Sequence, residues 1–222
     1  MLNTSNHTNR VLAIFSHPDD AEISCFGTLA RMSESCAEIH VLIVSDGANG
    51  GDSNDITSTR LKESRNSFRL LNATCSSLGF SDGNVEYGKV LISAIEKEND
   101  SFRPNIVITQ YANEDSAEHQ DHIAVFRAVK NVCFRRDNVK MLLAAEPMNL
   151  AASFVPNTFY NITGQFDLKL KAISMHQSQK QRFYMKKTYQ EVRSARWADR
   201  AFREEAETSR YCEAFQLEKL IC

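Results

Sequence analysis

Short apolar runs alternate with amphipathic stretches along most of this chain. The runs are mainly apolar and partly β-branched, and they cover Leu12–Phe15, Ile39–Val44, Ile106–Thr109 and Met141–Ala145. Runs of this length are typical of parallel strands that are buried on both faces. Between them, apolar residues recur at helical spacing, as at Phe26, Leu29 and Ala30. Alternating strands and helices predict a Rossmann-like, doubly wound α/β sheet that is mostly parallel, with the strand order 3-2-1-4-5.

The pattern changes after Pro147, where we expect a C-terminal elaboration. It predicts a strand at Thr158–Ile162, a helix at Leu168–Met175, a long charged helix from about Gln181 to Glu207, and an extended segment at Tyr211–Leu217. No internal repeat or low-complexity linker divides the chain. We therefore expect one domain over residues 1–222, with its core at about 10–147 and the elaboration at about 148–222.

Composition narrows the class of protein. The 222 residues are 42% hydrophobic and carry a formal net charge of -2, so nothing indicates a nucleic-acid or membrane-surface partner. No apolar run approaches the length of a membrane span. The six cysteines are scattered, and the polar first ten residues do not resemble a signal peptide. We expect free thiols and a cytoplasmic protein.

A histidine and two aspartates follow the first strand directly, within the segment Ser16–Glu22. If Pro18 occupies the first helical position, His17 and Asp20 project to one side and Asp19 points elsewhere. That spacing favours His17 and Asp20 as metal ligands and leaves Asp19 as a free carboxylate that can act as a base. The alternative is that one aspartate only caps the following helix.

A second cluster, Glu118–His122, follows the strand at Ile106–Thr109. His119 and His122 share one helical face. In the order 3-2-1-4-5, strands one and four are neighbours at the topological switch point, so both clusters should face one crevice. His17, Asp20 and one of these histidines would form a site with two histidines and one carboxylate. Such a site suits catalytic zinc, and non-haem iron(II) uses a similar one.

The chain resembles the PIG-L/LmbE-like family of zinc-dependent N-deacetylases. The matching segments occur in family order, from about residue 10 to residue 217: Ser16–Glu22, Cys25–Leu29, Ser45–Gly47, Arg60–Glu63, Gly79–Gly83, His119–His122, Ala172–Gln179 and Tyr211–Phe215. Two positions depart from the commonest pattern, Ala21 in the first motif and Gln120 in the second. Ala21 precedes the glutamate of its motif, where many members have glutamate directly after the second aspartate, and Gln120 lies between the functional positions of its motif.

The resemblance implies roles for individual residues. The metal ligands would be His17, Asp20 and His122. Asp19 would be the general base, a protonated His119 would stabilise the oxyanion, and Asp121 would fix the orientation or charge of a neighbouring imidazole. Residues expected to contact substrate, or to lie near it, are Arg60, Asp82, His176 and Gln179. The expected cofactor is Zn²⁺, with Fe²⁺ as an alternative.

The implied reaction is hydrolysis of the N-acetyl group of an amino sugar or an amino-sugar conjugate, a small-molecule substrate. The same site could serve a deformylase or another amidase. A catalytically silent sugar- or nucleotide-binding protein is the alternative from another class, although it would not need Asp19. An iron(II) oxygenase shares the ligand set, but the resemblance does not support it.

Two further features have simpler explanations. The glycine-rich segment Ser45–Asp52 lacks the ending of a phosphate-binding loop, and we interpret it as a loop over the crevice. Arginines recur along the predicted C-terminal helix, at Arg193, Arg196, Arg200 and Arg203. Glutamates accompany them, which favours a solvated face; the alternative is a basic wall for a phosphate-bearing substrate. The single tryptophan, Trp197, is expected to serve packing.

Overall fold

The computed structural model describes residues 8–114, 118–149, 151–202 and 210–222. Within these ranges the strands are β1 Arg10–Phe15, β2 Glu38–Ser45, β3 Thr74–Phe80, β4 Ile106–Gln110, β5 Met141–Ala145, β6 Thr158–Asn161 and β7 Cys212–Leu220. The helices are α1 Asp20–Glu34, α2 Ile56–Arg69, α3 Lys89–Phe102, α4 Gln120–Phe134, α5 Phe166–Ser174 and α6 Lys187–Ala201. The predicted α/β class is confirmed.

All of these strands form one sheet in the order β3-β2-β1-β4-β5-β7-β6. The first five strands are parallel and reproduce the predicted order, with β1 between β2 and β4. β7 pairs antiparallel with both β5 and β6, so the C-terminal segment extends the same sheet. Because β1 and β4 are neighbours, the loops that follow them leave the sheet side by side.

The sheet is covered on both faces, as the apolar runs predict. Along β1, Val11, Ala13 and Phe15 belong to one buried cluster, while Leu12 and Ile14 belong to another. The first cluster includes apolar residues of α1 and α2, and the second includes residues of α3 and α4. Burial on both faces explains why β1 is continuously apolar.

Two local predictions are wrong, and the third strand, Thr74–Phe80, has no counterpart among the predicted runs. Its residues are partly polar because it lies at the sheet edge and is only partly buried. Pro18 is not the first helical residue, because Asp19 adopts φ 113° and α1 starts at Asp20. The C-terminal helix begins at Lys187 rather than near Gln181, after 3₁₀ turns at Gln177–Gln179 and Phe183–Met185. Its predicted end, Glu207, lies outside the described residues.

A buried ion pair attaches the C-terminal strand to the first helix. Lys169 of α5 and Glu213 of β7 are nearly inaccessible to solvent, with Nζ 2.7 Å from Oε1. Lys169 also donates to the carbonyl of Ile23, and Glu213 accepts from the backbone N–H groups of Gly27 and Thr28. Both charges are therefore hydrogen-bonded, which a buried pair requires. Burial lowers the pKa of Lys169, and Glu213 opposes that shift.

The structure bears on two expectations from composition, the state of the cysteines and the absence of a membrane-spanning helix. The six cysteines are free thiols, as expected. Across the described ranges, no helix combines the length and the apolar composition that crossing a bilayer requires.

Removing one partner of the buried ion pair should destabilise the fold. We expect Lys169→Met to lower the free energy of unfolding by about 3–5 kcal/mol, because Glu213 would keep its charge without a counter-ion. Lys171→Met, at an exposed position of the same helix, should change it by less than about 0.5 kcal/mol. Urea unfolding followed by circular dichroism measures both. Equal effects of the two substitutions would show that the pair does not stabilise the fold.

Candidate metal centre

The structure brings the three predicted metal ligands together at the carboxyl ends of β1 and β4. His17 Nδ1 lies 3.1 Å from His122 Nε2 and 3.4 Å from Asp20 Oδ2. Asp20 Oδ2 lies 3.2 Å from His122 Nε2. Ligand atoms about 2.0–2.1 Å from a tetrahedral zinc ion are roughly 3.3–3.4 Å apart. The three atoms therefore have the spacing of one face of a zinc tetrahedron.

The second nitrogen of each histidine faces a carboxylate. His17 Nε2 lies 3.1 Å from Asp121 Oδ2 and 3.1 Å from Asp82 Oδ1. His122 Nδ1 lies 2.9 Å from Glu118 Oε2. Metal-binding histidines usually donate their other N–H to such a partner, which fixes the tautomer and the ring orientation. This arrangement leaves His17 Nδ1 and His122 Nε2 as the two nitrogens that could bind a metal.

The electrostatics of the three side chains also suit a cation. Burial alone would lower the pKa of His17, but hydrogen bonds to Asp121, Asp20 and Asp82 raise it well above its usual value. Burial likewise opposes the charged form of His122, yet Asp20 and Glu118 raise its pKa to about 9. The carboxylates around both rings thus favour a positive charge at this place in the site. A bound metal would supply that charge in place of the protons.

Asp19 lies beside this triad without joining it. Its φ of 113° is unusual for a residue other than glycine, and strained backbone of this kind is concentrated at functional sites. Its side chain makes no capping hydrogen bond, so the capping alternative fails for Asp19. Oδ2 is buried and has no hydrogen-bond partner within the described part of the chain. Burial raises the pKa of Asp19 to about 6, although the nearby Arg60 lowers it.

A polar cavity of about 200 Å³ opens over these groups. Eight of the ten predicted site residues line it: His17, Asp19, Asp20, Arg60, Asp82, His119, His122 and Gln179. The crevice predicted from the strand order therefore contains both sequence clusters. Asp121 supports the cavity from behind, because it is fully buried and accepts hydrogen bonds from the backbone of Gly83 and Val85.

Comparison with known proteins identifies the family. The model of the family described as PIG-L, GlcNAc-PI de-N-acetylase, matches residues 12–133. This chain belongs to the PIG-L family. The predicted resemblance is thereby confirmed.

Two relatives of this family member are named as deacetylases. The chain is 30% identical over 183 residues to the uncharacterized deacetylase YaiS of Escherichia coli K12, covering 80% of this chain and 96% of that one. It is 27% identical over 194 residues to the diacetylchitobiose deacetylase of Thermococcus kodakarensis, covering 78% and 71%. These relatives and the candidate metal site confirm the predicted class of enzyme, a hydrolase of N-acetyl amides.

The same fold also carries another reaction. The solved structure of GalB, the 4-carboxy-2-hydroxymuconate hydratase of Pseudomonas putida KT2440, superimposes with a TM-score of 0.81. The match covers 97% of this chain and 98% of that one at 17% sequence identity. Similarity at this level shows the fold alone, so the reaction must be argued from the site.

The predicted substrate residues of the PIG-L site are partly engaged with the protein. Arg60 is buried and donates to the carbonyls of Gly47 and Pro18, while its NH2 lies 3.4 Å from Asp19 Oδ1. Arg60 therefore holds the loop that carries Asp19. Asp82 Oδ1 faces His17, and its Oδ2 accepts from the backbone of Asn49. Burial would raise the pKa of Asp82, but the His17 hydrogen bond lowers it.

His176 and Gln179 occupy different positions relative to the cavity. His176 does not line it; the ring is buried behind α1, where Nε2 lies 2.8 Å from Glu22 Oε1. Gln179 reaches the wall and donates to the carbonyl of Gly50. A Cβ at Gly50 would overlap the guanidinium of Arg60. At Gly50, the glycine-rich segment is thus hydrogen-bonded to Gln179 and packed against Arg60.

His119 lies at the cavity edge and starts α4. Its Nδ1 accepts the backbone N–H of Asp121, so Nε2 carries the proton in the neutral ring. Burial and the neighbouring His17 lower the pKa of His119, although Asp121 opposes the shift. We expected a protonated His119, but this environment favours the neutral form, which still offers one N–H donor. The ring is 40% exposed and can reach a ligand in the cavity.

Several residues that line the cavity have no role predicted from the sequence, including Asn49, Glu118, Arg182 and Tyr184. The contact of Glu118 with His122 could have been predicted, because the two residues are four positions apart. For Arg182 and Tyr184 no such prediction was possible, since they belong to a segment predicted to be helical. The irregular chain before α6 places them at the cavity.

A second group of side chains could hold a metal, namely His17, Asp82, His119 and Asp121. Several of its donor atoms are already occupied. Asp121 accepts two backbone N–H groups, and His119 Nδ1 accepts a third. By contrast, the group formed by His17, Asp20 and His122 leaves its ligand atoms directed at one another. We therefore favour the group formed by His17, Asp20 and His122 as the candidate metal site.

Metal content should separate a ligand from its supporting carboxylate. We expect His122→Ala to lose stoichiometric zinc. Glu118→Gln should retain zinc and bind it about 10- to 100-fold more weakly, because His122 loses its orienting partner. Glu114→Gln, at an exposed carboxylate, is the control and should bind like the wild type. Competition with a fluorescent chelator gives the affinities; unchanged zinc in His122→Ala would remove that residue from the ligand set.

Proposed function

We propose that this chain is a zinc-dependent deacetylase that removes the N-acetyl group from an amino sugar or an amino-sugar conjugate. The observation that carries the proposal is the set of three converging ligand atoms beside the unpartnered carboxylate oxygen of Asp19. The family and the relatives named as deacetylases support the choice of amide. The name of the Thermococcus relative supports an N-acetylated sugar as the substrate class.

His17, Asp20 and His122 would hold the metal. When bound, zinc supplies Lewis acidity, which polarises the acetyl carbonyl and eases the removal of a proton from water. Three protein ligands leave one position open, as catalytic zinc sites require. The backbone N–H of His17 donates to Asp20 Oδ2, so this carboxylate is also held in place.

Asp19 acts as the general base in this mechanism. Its Oδ2 takes a proton from the attacking water and returns one to the leaving amine. General acid–base catalysis of this kind contributes roughly 100- to 10,000-fold to the rate. Arg60 positions the loop of Asp19 through the carbonyl of Pro18 and faces the other carboxylate oxygen. The charge of Arg60 holds Oδ1 of Asp19 in place, while Oδ2 stays free to accept the proton of the attacking water.

His119 and Asp121 complete the catalytic set. The Nε2–H of neutral His119 would donate to the oxygen of the tetrahedral intermediate, and loss of one such donor typically costs about 3–4 kcal/mol. Asp121 acts on a neighbouring imidazole, and the imidazole nitrogen nearest to its carboxylate is His17 Nε2. Asp82, which shares that contact, and Gln179 face the cavity where hydroxyl groups of a sugar would bind.

A panel of acylated substrates tests this proposal. Metal-free protein reloaded with Zn²⁺ or Fe²⁺ should release acetate from at least one N-acetyl amino sugar, supplied free, glycosidic or nucleotide-linked. Release of formate from N-formyl sugars, with no acetate from N-acetyl sugars, would instead indicate a deformylase. Sugar binding without any release of acid would indicate a binding protein, and either outcome would refute the deacetylase.

Substitution of Asp19 and of Asp20 should have different effects on zinc content and activity. We expect Asp19→Asn to keep one zinc per chain and to lose about 100- to 10,000-fold in kcat, because only the base is removed. Asp20→Asn should lose zinc together with activity. Zinc content by elemental analysis and acetate release measure both variants. Loss of zinc from Asp19→Asn would contradict the division between ligand and base.

A further inference from the structure

A second cavity, of about 270 Å³, lies next to the metal site and takes no part in the mechanism above. It lies between the loop that follows β5 and the helix α6. Its walls include Glu146, Phe154, Arg196, Trp197 and Arg200. Asn149 lines both cavities, and its backbone N–H donates to Glu118, the carboxylate that faces His122. A single residue therefore joins the two cavities.

The loop between the cavities is held from both sides. Tyr189 of α6 donates to the carbonyl of Met148, and Arg193 donates to the carbonyl of Glu146. Glu118 holds the other side through Asn149. These hydrogen bonds hold the loop in place on both sides, so it can form a fixed wall for a ligand that occupies both cavities.

The charge of the second cavity is positive. The one carboxylate in its wall, Glu146, is buried and contacts Arg193, Arg196 and the indole N–H of Trp197. Arg200 is exposed, and its guanidinium carbon lies 5.6 Å from the centroid of the Trp197 ring. Within the ranges that the structure describes, no carboxylate pairs with Arg200. The wall therefore carries two guanidinium groups, those of Arg196 and Arg200, and its one carboxylate is also paired with the buried Arg193.

The remaining surface suits the carbon frame of a sugar or another ring. Phe154, Pro147 and Ala151 contribute apolar surface beside the indole. A guanidinium that stacks on an aromatic ring keeps its N–H groups available at the edge. Those groups bind carboxylate or phosphate through charge-assisted hydrogen bonds. The cavity thus combines an anion-binding edge with an apolar wall.

We propose that this cavity binds an anionic part of the substrate, a phosphate or carboxylate carried by the acetylated sugar or by the unit attached to it. The inference rests on the proposed function, since it places the acetamide at the metal site. A cavity of this kind would make the enzyme prefer acidic amino-sugar conjugates to neutral ones. The proposed binding also gives Arg196 and Arg200 the role of a basic wall, in place of the solvated face expected from the sequence. Arg203 lies outside the described residues.

Trp197 is the only tryptophan of the chain, so its fluorescence reports on this cavity directly. N-acetylglucosamine 1-phosphate and N-acetylmuramic acid are the acidic probes; N-acetylglucosamine and diacetylchitobiose are the neutral ones. We expect a saturable change of fluorescence with at least one acidic probe and binding at least about tenfold weaker in Arg200→Gln. Lys187→Gln, an exposed lysine of the same helix, should bind like the wild type.

Three binding results would overturn the inference: no preference for acidic probes, equal binding by Arg200→Gln, or binding of inorganic phosphate as tight as that of the sugar phosphate. Acetate release then separates this inference from the proposed function. Arg200→Gln should raise KM for the acidic substrate about tenfold or more and leave kcat unchanged. Acetate release with no acidic preference refutes only the second cavity. Acidic binding without acetate release from any probe refutes only the deacetylase.

Discussion

The imidazole of His17 connects the two halves of this site. Its Nδ1 faces Asp20 and His122, while its Nε2 faces Asp82 and Asp121. One ring therefore joins the loop after β1 to the loops after β3 and β4. The geometry requires β1 in the interior of the sheet, with β2 and β4 as its neighbours. Substituting the ring would separate the metal ligands from the carboxylates that orient them.

Much of the fold could be predicted because burial on both faces leaves a continuous apolar signal. β1, β2, β4 and β5 are such strands, and their predicted positions agree with the structure to within two residues. β3 gave no signal, since an edge strand that packs on fewer neighbours tolerates Ser76 and Ser77. The start of α6 was missed because charged residues before it fit a helix, whereas a 3₁₀ turn at Phe183–Met185 occupies that stretch.

The candidate site was predictable where function is concentrated in short segments. His17, Asp19 and Asp20 lie within four positions, and the sheet order alone brings them to the segment of His119 and His122. Contacts that depend on tertiary packing were not predictable. Arg60 turned out to hold backbone carbonyls, and the basic face of α6 gained a cavity only from the loop after β5.

Diffraction from crystals grown with zinc, with anomalous data at the zinc edge, tests the central claim most directly. We expect one strong peak per chain, about 2.0–2.2 Å from His17 Nδ1, Asp20 Oδ2 and His122 Nε2. Asp19 should remain outside the coordination sphere. A peak on the opposite side of His17, among Asp82, His119 and Asp121, would contradict the assignment of ligands, base and oxyanion donor together.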